Sequence, residues 1–258
     1  MTLGRWLCLV LVWASVLAHA EVPDDPFHSP MWRYNLERYL GSDIEVRHDE
    51  RIDLQVPAFA EDSAQVPLTL DLSRFPHRPR RIVTWVDLNP VPHLFSYDPG
   101  ELPLRVISLN FRVQQATTVR AAVQDEAGTW HVASAHVDAA GGGCTAPSLT
   151  AANPDWERSF GTIYGRAFPR GDHLRYKTHV MHPMDSGMVG NVPAFFIDRV
   201  ELRGAGETSP LLSLTLSESA AENPMFVFEL PQPPSAPLLW MRDNNGNVFE
   251  RRLEGDAE

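Results

Sequence analysis

Val66-Pro67-Leu68-Thr69-Leu70-Asp71-Leu72 alternates apolar residues with Pro, Thr and Asp. That period of two turns one face of a strand to a core and the other to water. The same period returns in Ile107, Leu109, Phe111 and Val113, and again in Val119, Ala121 and Val123. Residues 81–87 are β-branched and aromatic, and Asn89-Pro90-Val91-Pro92 ends them. Asp125-Glu126-Ala127-Gly128 reads as a turn before a further strand over 129–137. About seven short strands with turns roughly every ten residues predict an immunoglobulin-like sandwich.

Upstream, Ser29-Pro30 has the form of a helix start, and Trp32, Leu36, Tyr39 and Leu40 recur at helical spacing. Gly41 supplies the stop, so a short amphipathic helix is expected to pack on the first sandwich. Downstream, strand patterning resumes at 174–181, 195–202, 210–216, 225–230, 237–241 and 247–253. Asp243-Asn244-Asn245-Gly246 is a hairpin turn of the Asn-Gly type, without the spaced carboxylates of a calcium loop. The expected fold is all-β: two immunoglobulin-like sandwiches joined by a glycine-rich arm and linker. The boundaries read as 1–20 leader, 21–143 first sandwich with its helix, 144–170 arm and linker, and 171–258 second sandwich.

The leader has the parts of a secretory signal. Arg5 gives the positive end, Trp6 to Leu17 the apolar run, and Ala18-His19-Ala20 the cleavage site. The apolar run is too short to span a bilayer, so no membrane span is expected. A net charge of −11 argues against nucleic acid as a partner. Cys8 leaves with the leader, and Cys144 is then the single thiol, with no internal disulfide available to it.

Cys144 follows Gly141-Gly142-Gly143, the longest glycine run in the chain. A lone cysteine reads either as a buried leftover thiol or as an exposed handle. Three glycines favour the handle, because they lose the most backbone entropy on ordering. Extended, residues 139–143 would carry the thiol out by roughly 17 Å. No base adjoins it, so a self-activated nucleophile is not expected. The chain shows no hydrolase elbow, phosphate loop or zinc-protease helix, and no catalytic residue, metal or cofactor is assigned. His179, Met181, His182, Met184 and Met188 are dense enough to suggest copper delivery, although strand geometry splits them between two faces.

These pieces resemble a known family. Val66-Pro67-Leu68-Thr69, Val86-Asp87-Leu88-Asn89-Pro90, the strand into Phe111, Trp130 and Gly142-Gly143-Cys144 resemble SoxY, the periplasmic carrier subunit of thiosulfate oxidation. His182-Pro183-Met184-Asp185-Ser186-Gly187, Ala221-Glu222-Asn223-Pro224 and the stretch from Trp240 to Phe249 resemble its partner SoxZ. In that order they are similar to the fused SoxYZ-like carriers associated with quinoprotein dehydrogenases, a group that Ser29-Pro30-Met31-Trp32 also fits. The resemblance implies a periplasmic, non-enzymatic carrier that holds a sulfur species on Cys144. Gly141, Gly142 and Gly143 would be its flexible arm, and His182, Pro183 and Met184 scaffold and partner surface. It also implies contact between the two domains, and sulfur-oxidising enzymes and cytochromes as partners. The alternative is an accessory module for a quinoprotein dehydrogenase of alcohol or C1 oxidation. One departure stands out: the family's arm ends the chain, whereas here Thr145-Ala146-Pro147 and 111 further residues follow.

Overall fold

The computed structural model describes residues 22–100, 102–190, 192–204, 210–233 and 235–254. The expected leader, with Cys8, lies outside them. The first half runs α1 (Trp32–Leu40), β1 (Val46–His48), β2 (Asp53–Gln55), β3 (Phe59–Ala60), β4 (Val66–Asp71), β5 (Arg81–Val86), β6 (His93–Pro99), β7 (Val106–Phe111), β8 (Thr117–Gln124) and β9 (Trp130–Ala139). The second half adds α2 (Trp156–Ser159), β10 (Ile163–Arg170), β11 (His173–Val180), β12 (Ile197–Arg203), β13 (Pro210–Leu216), β14 (Met225–Pro231), β15 (Leu238–Asp243) and β16 (Val248–Arg252). Among the described residues no helix is long and apolar enough to cross a membrane.

The architecture is all-β, as the alternation predicts. In β4 the side chains of Val66, Leu68 and Leu70 are buried while Pro67 is exposed. The expected linker is shorter than 144–170, because residues 163–170 form β10 and pair antiparallel with β11 from Ile163↔Val180 to Arg170↔His173.

The two sandwiches are not separate bodies on a tether. One sheet runs β1-β9-β8-β5-β6-β13-β12-β15-β16, with β3 also on β9, and the other runs β10-β11-β14-β7-β4-β2. Both cross from one half to the other. β6 pairs with β13 through Leu214↔Tyr97 and Leu216↔Phe95, and β7 pairs with β14 through Phe228↔Ile107. Each half thereby covers the other's sheet edges, which would otherwise expose unpaired backbone groups. The main apolar core therefore spans both halves, with Phe95, Ile107 and Phe111 in the same cluster as Leu214, Phe226 and Phe228.

Helix α1 lies on the outer face of the first half. Trp32 and Leu36 pack with Val83, Trp85, Trp130 and Val132 in a second cluster. An ion network fastens this N-terminal segment. The fully buried Arg120 pairs with Asp25 at 2.6 Å and Asp87 at 2.8 Å. Its guanidinium also sits 4.7 Å from the Trp32 ring centroid. Gly41 ends the helix at φ 103 and donates to the Glu37 carbonyl at 3.1 Å, the stop the sequence implies.

Candidate functional site

β9 ends at Ala139, and the chain then turns under the seam between the halves. Gly141 and Gly142 take φ values of 98 and 82, and Gly143–Thr145 forms a single 3-10 turn. Gly142 N–H donates to the Gln114 carbonyl and Gly143 N–H to the Val113 carbonyl, both at 3.0 Å. Gly141 N–H reaches Ser63 Oγ at 3.3 Å. A Cβ on Gly143 would stand 1.9 Å from the Ser63 carbonyl oxygen. That position takes glycine because backbone passes directly against backbone.

This corrects the expected extended arm. The glycines fit the turn into a groove in place of extending it, and Cys144 is 2% exposed. A glycine run has the same composition whether its missing Cβ atoms serve mobility or close approach, so sequence favoured the first.

The second half closes the site. Ser186 Oγ donates to the Cys144 carbonyl at 2.7 Å. Arg112, immediately after β7 and 2% exposed, donates from Nη1 to the Gly143 carbonyl at 3.4 Å and from Nη2 to the Met184 carbonyl at 3.2 Å. Its Nε has no hydrogen-bond partner. Among the described residues no carboxylate lies within ion-pair distance of it, so a buried cation faces neutral carbonyls beside the thiol. Burial lowers the Arg112 pKa, opposed by the charges of Glu222, Cys144, Asp185 and Asp62. Burial pushes the Cys144 thiol up to about 11, with the Arg112 charge pulling the other way. In this closed arrangement the cysteine is a neutral thiol at pH 7, and the thiolate is the reactive form.

The His182-to-Gly187 stretch explains how the second half holds its side of the seam. His182 is fully buried; its Nδ1 accepts the Met184 N–H at 3.0 Å, and its Nε2 stands 3.6 Å from Asp243 Oδ2. The Phe195 ring lies 4.5 Å away between centroids. Burial pushes His182 down to about 4 despite the opposing charge of Asp243. Met184 takes φ 49 and its Sδ accepts the Ile197 N–H at 3.2 Å. The copper grouping does not assemble: His182 Nδ1 and Met184 Sδ each accept a backbone N–H, and His179 stacks on Tyr164 instead. Asn223 Oδ1 accepts the His182 N–H at 3.0 Å, while Glu222 receives Ser148 Oγ at 2.8 Å and the Thr150 N–H at 3.3 Å. The Ala221-to-Pro224 motif thus fastens the connector that follows Cys144.

Arg112 and Ser186 are the residues that sequence reasoning passed over. Arg112 falls on the polar phase of an alternating strand and reads as solvent-facing. Only the covering of that face by the second half buries it.

The comparisons with known proteins follow this division. Residues 36–144 match the family model for the sulfur oxidation protein SoxY, and residues 166–254 that for the sulphur oxidation protein SoxZ. The solved structure of the sulfur carrier protein SoxY from Chlorobium limicola f thiosulfatophilum is 24% identical. It covers 42% of this chain and 96% of its own, with a TM-score of 0.36. No curated protein matches the chain.

Proposed function

The chain belongs to the fused SoxYZ-like sulfur-oxidation carrier proteins, with a SoxY and a SoxZ domain in one polypeptide; on that premise we propose that it carries a sulfur-containing intermediate covalently on Cys144 and presents it to partner oxidising enzymes. The observation that carries this reading is the placement of Cys144, the single thiol among the described residues, at the last residue of the SoxY match. The unpaired Arg112 guanidinium beside it supports the reading, since a sulfonate or polysulfide cargo is anionic and Arg112 lacks a carboxylate.

The carrier itself supplies no oxidant. Joining the Cys144 thiolate to the sulfane sulfur of thiosulfate forms one S–S bond and releases two electrons, so a cytochrome-type partner accepts them. Partners also supply hydrolysis, since among the described residues no base is hydrogen-bonded to the thiol. The chain acts in the periplasm after export and is not an enzyme on its own.

The burial of Cys144 favours one competing reading, an accessory module for a periplasmic quinoprotein dehydrogenase in which the thiol is structural. Complementation separates the two. A host strain lacking the gene is supplied with wild type or Cys144→Ser, and thiosulfate-dependent oxygen uptake is measured. Loss of uptake with Cys144→Ser, at normal protein level, supports the carrier. Full uptake with Cys144→Ser, together with retained dehydrogenase in pull-downs, supports the accessory reading instead.

A further inference from the structure

A second cluster lies at the far end of β9 from Cys144, where three separate segments meet. His131 enters from the start of β9, Asp125 from the turn before it, and His77 from the loop between β4 and β5. One ring nitrogen from each histidine and a carboxylate oxygen of Asp125 all lie within 4.8 Å of one another. His131 and Asp125 are buried, whereas His77 is exposed.

The hydrogen bonds around His131 hold its ring between two carboxylates. Its Nδ1 stands 2.8 Å from Asp49 Oδ2, and its Nε2 stands 3.0 Å from Asp125 Oδ2. Asp49 is itself fixed by Arg51, which donates from Nε at 2.8 Å and Nη2 at 2.6 Å. Asp125 Oδ1 is occupied by the N–H groups of Ala127 at 2.9 Å and Thr129 at 3.0 Å, which leaves Oδ2 free to face the ring. When Nδ1–H donates to Asp49, Nε2 presents a lone pair to a carboxylate oxygen. Two acceptors that close need a cation between them. The same two atoms, His131 Nε2 and Asp125 Oδ2, form two legs of a metal site.

His77 supplies the third leg. Its ring centroid is 5.7 Å from that of His131, and both rings pack edge-on against Phe75, at 5.4 and 5.1 Å. Phe75 therefore walls one side while the other opens to solvent at His77. No protein group hydrogen-bonds the His77 ring among the described contacts. Tetrahedral ligands at about 2.1 Å from zinc stand roughly 3.4 Å apart, so the His77 side chain has to close by up to roughly 1.4 Å on the other two, a movement open to an exposed side chain.

We propose that His77, His131 and Asp125 bind a divalent transition cation of the zinc type, with Asp49 orienting the His131 ring. Two imidazoles and one carboxylate suit zinc, and the carboxylate–histidine contact is the usual outer support of such a ligand. Three protein ligands leave the fourth position to water. The site is independent of the Cys144 reading, since β9 separates them by roughly 25–30 Å.

The test is calorimetric titration of zinc chloride into the full mature chain, purified without a histidine tag, with cobalt absorption as a second readout. One ion per chain is expected, with a tetrahedral cobalt spectrum. His77→Ala, an exposed change that leaves the fold intact, is expected to weaken binding at least tenfold, and Asp49→Asn about 10- to 100-fold. Absence of saturable binding overturns the proposal. Zinc binding unchanged in His77→Ala also overturns it, because the ion then sits elsewhere.

Discussion

Ser186→Ala should release Cys144 from its closed position, and the size of the effect follows from two observations. The first is ionisation. With the thiol at about 11 in place of 9.0, its thiolate population at neutral pH falls about 100-fold relative to an exposed cysteine. Alkylation of the folded chain therefore proceeds through an open state. The second is the hydrogen bond from Ser186 Oγ to the buried Cys144 carbonyl at 2.7 Å. Deleting the hydroxyl leaves that carbonyl without its side-chain donor, at a cost of about 1–3 kcal/mol. The open population then rises about 5- to 150-fold. The assay is the rate of iodoacetamide labelling of Cys144 at pH 7.4, followed by intact mass. Wild type is expected to label at least about 100-fold slower than the urea-unfolded chain. Ser186→Ala should recover part of that gap. Val123→Ala, a core change on β8, serves as a control that lowers stability without touching the seam. Wild type labelling as fast as the unfolded chain, or Ser186→Ala labelling no faster than Val123→Ala, would rule out a thiol held closed by this contact.

Three further outcomes follow from the same geometry. Gly143→Ala places a Cβ 1.9 Å from the Ser63 carbonyl oxygen, so the turn is displaced and labelling of Cys144 should approach the unfolded rate. Arg120→Ala strands Asp25 and Asp87 without their counter-charge and should cost about 3–5 kcal/mol by urea denaturation, with α1 lost first by proteolysis near residue 30. His182 takes up a proton near 6.5 when unfolded but only near 4 when folded, so its neutral form favours the fold above pH 6.5. That contribution is lost as pH falls from about 6.5 to 4, and His182→Asn should flatten the stability slope across that window, read by thermal melts at successive pH values.

Where a strand is half-buried, its alternation made it legible: β4 falls where the pattern places it, while β13, buried at most positions, was legible as a short apolar run. β6 and β10 escaped for opposite reasons. His93–Pro99 is buried between β5 and β13 and flanked by prolines, so it carries neither alternation nor a clean boundary. Ile163–Arg170 is mostly exposed and includes Gly165 and Pro169, so it shows no apolar face. Which strands join the halves was not legible, since alternation marks β7 as a strand without saying that it pairs with β14, and β6, which pairs with β13, carries no alternation. Cys144 stands out in the sequence as the candidate site because it is the lone thiol beside three glycines. Its burial was not, because the groups that enclose it, Arg112 and Ser186, are 32 and 42 residues away in sequence and meet only through the seam.

In the proposed function Cys144 carries the cargo. Its most direct test is peptide mass mapping of the chain isolated from the periplasm of cells oxidising thiosulfate, with samples acid-quenched to prevent exchange. A sulfur or sulfonate adduct is expected on the peptide containing Cys144, removed by reducing agent. An unmodified Cys144 peptide under active thiosulfate oxidation would contradict it.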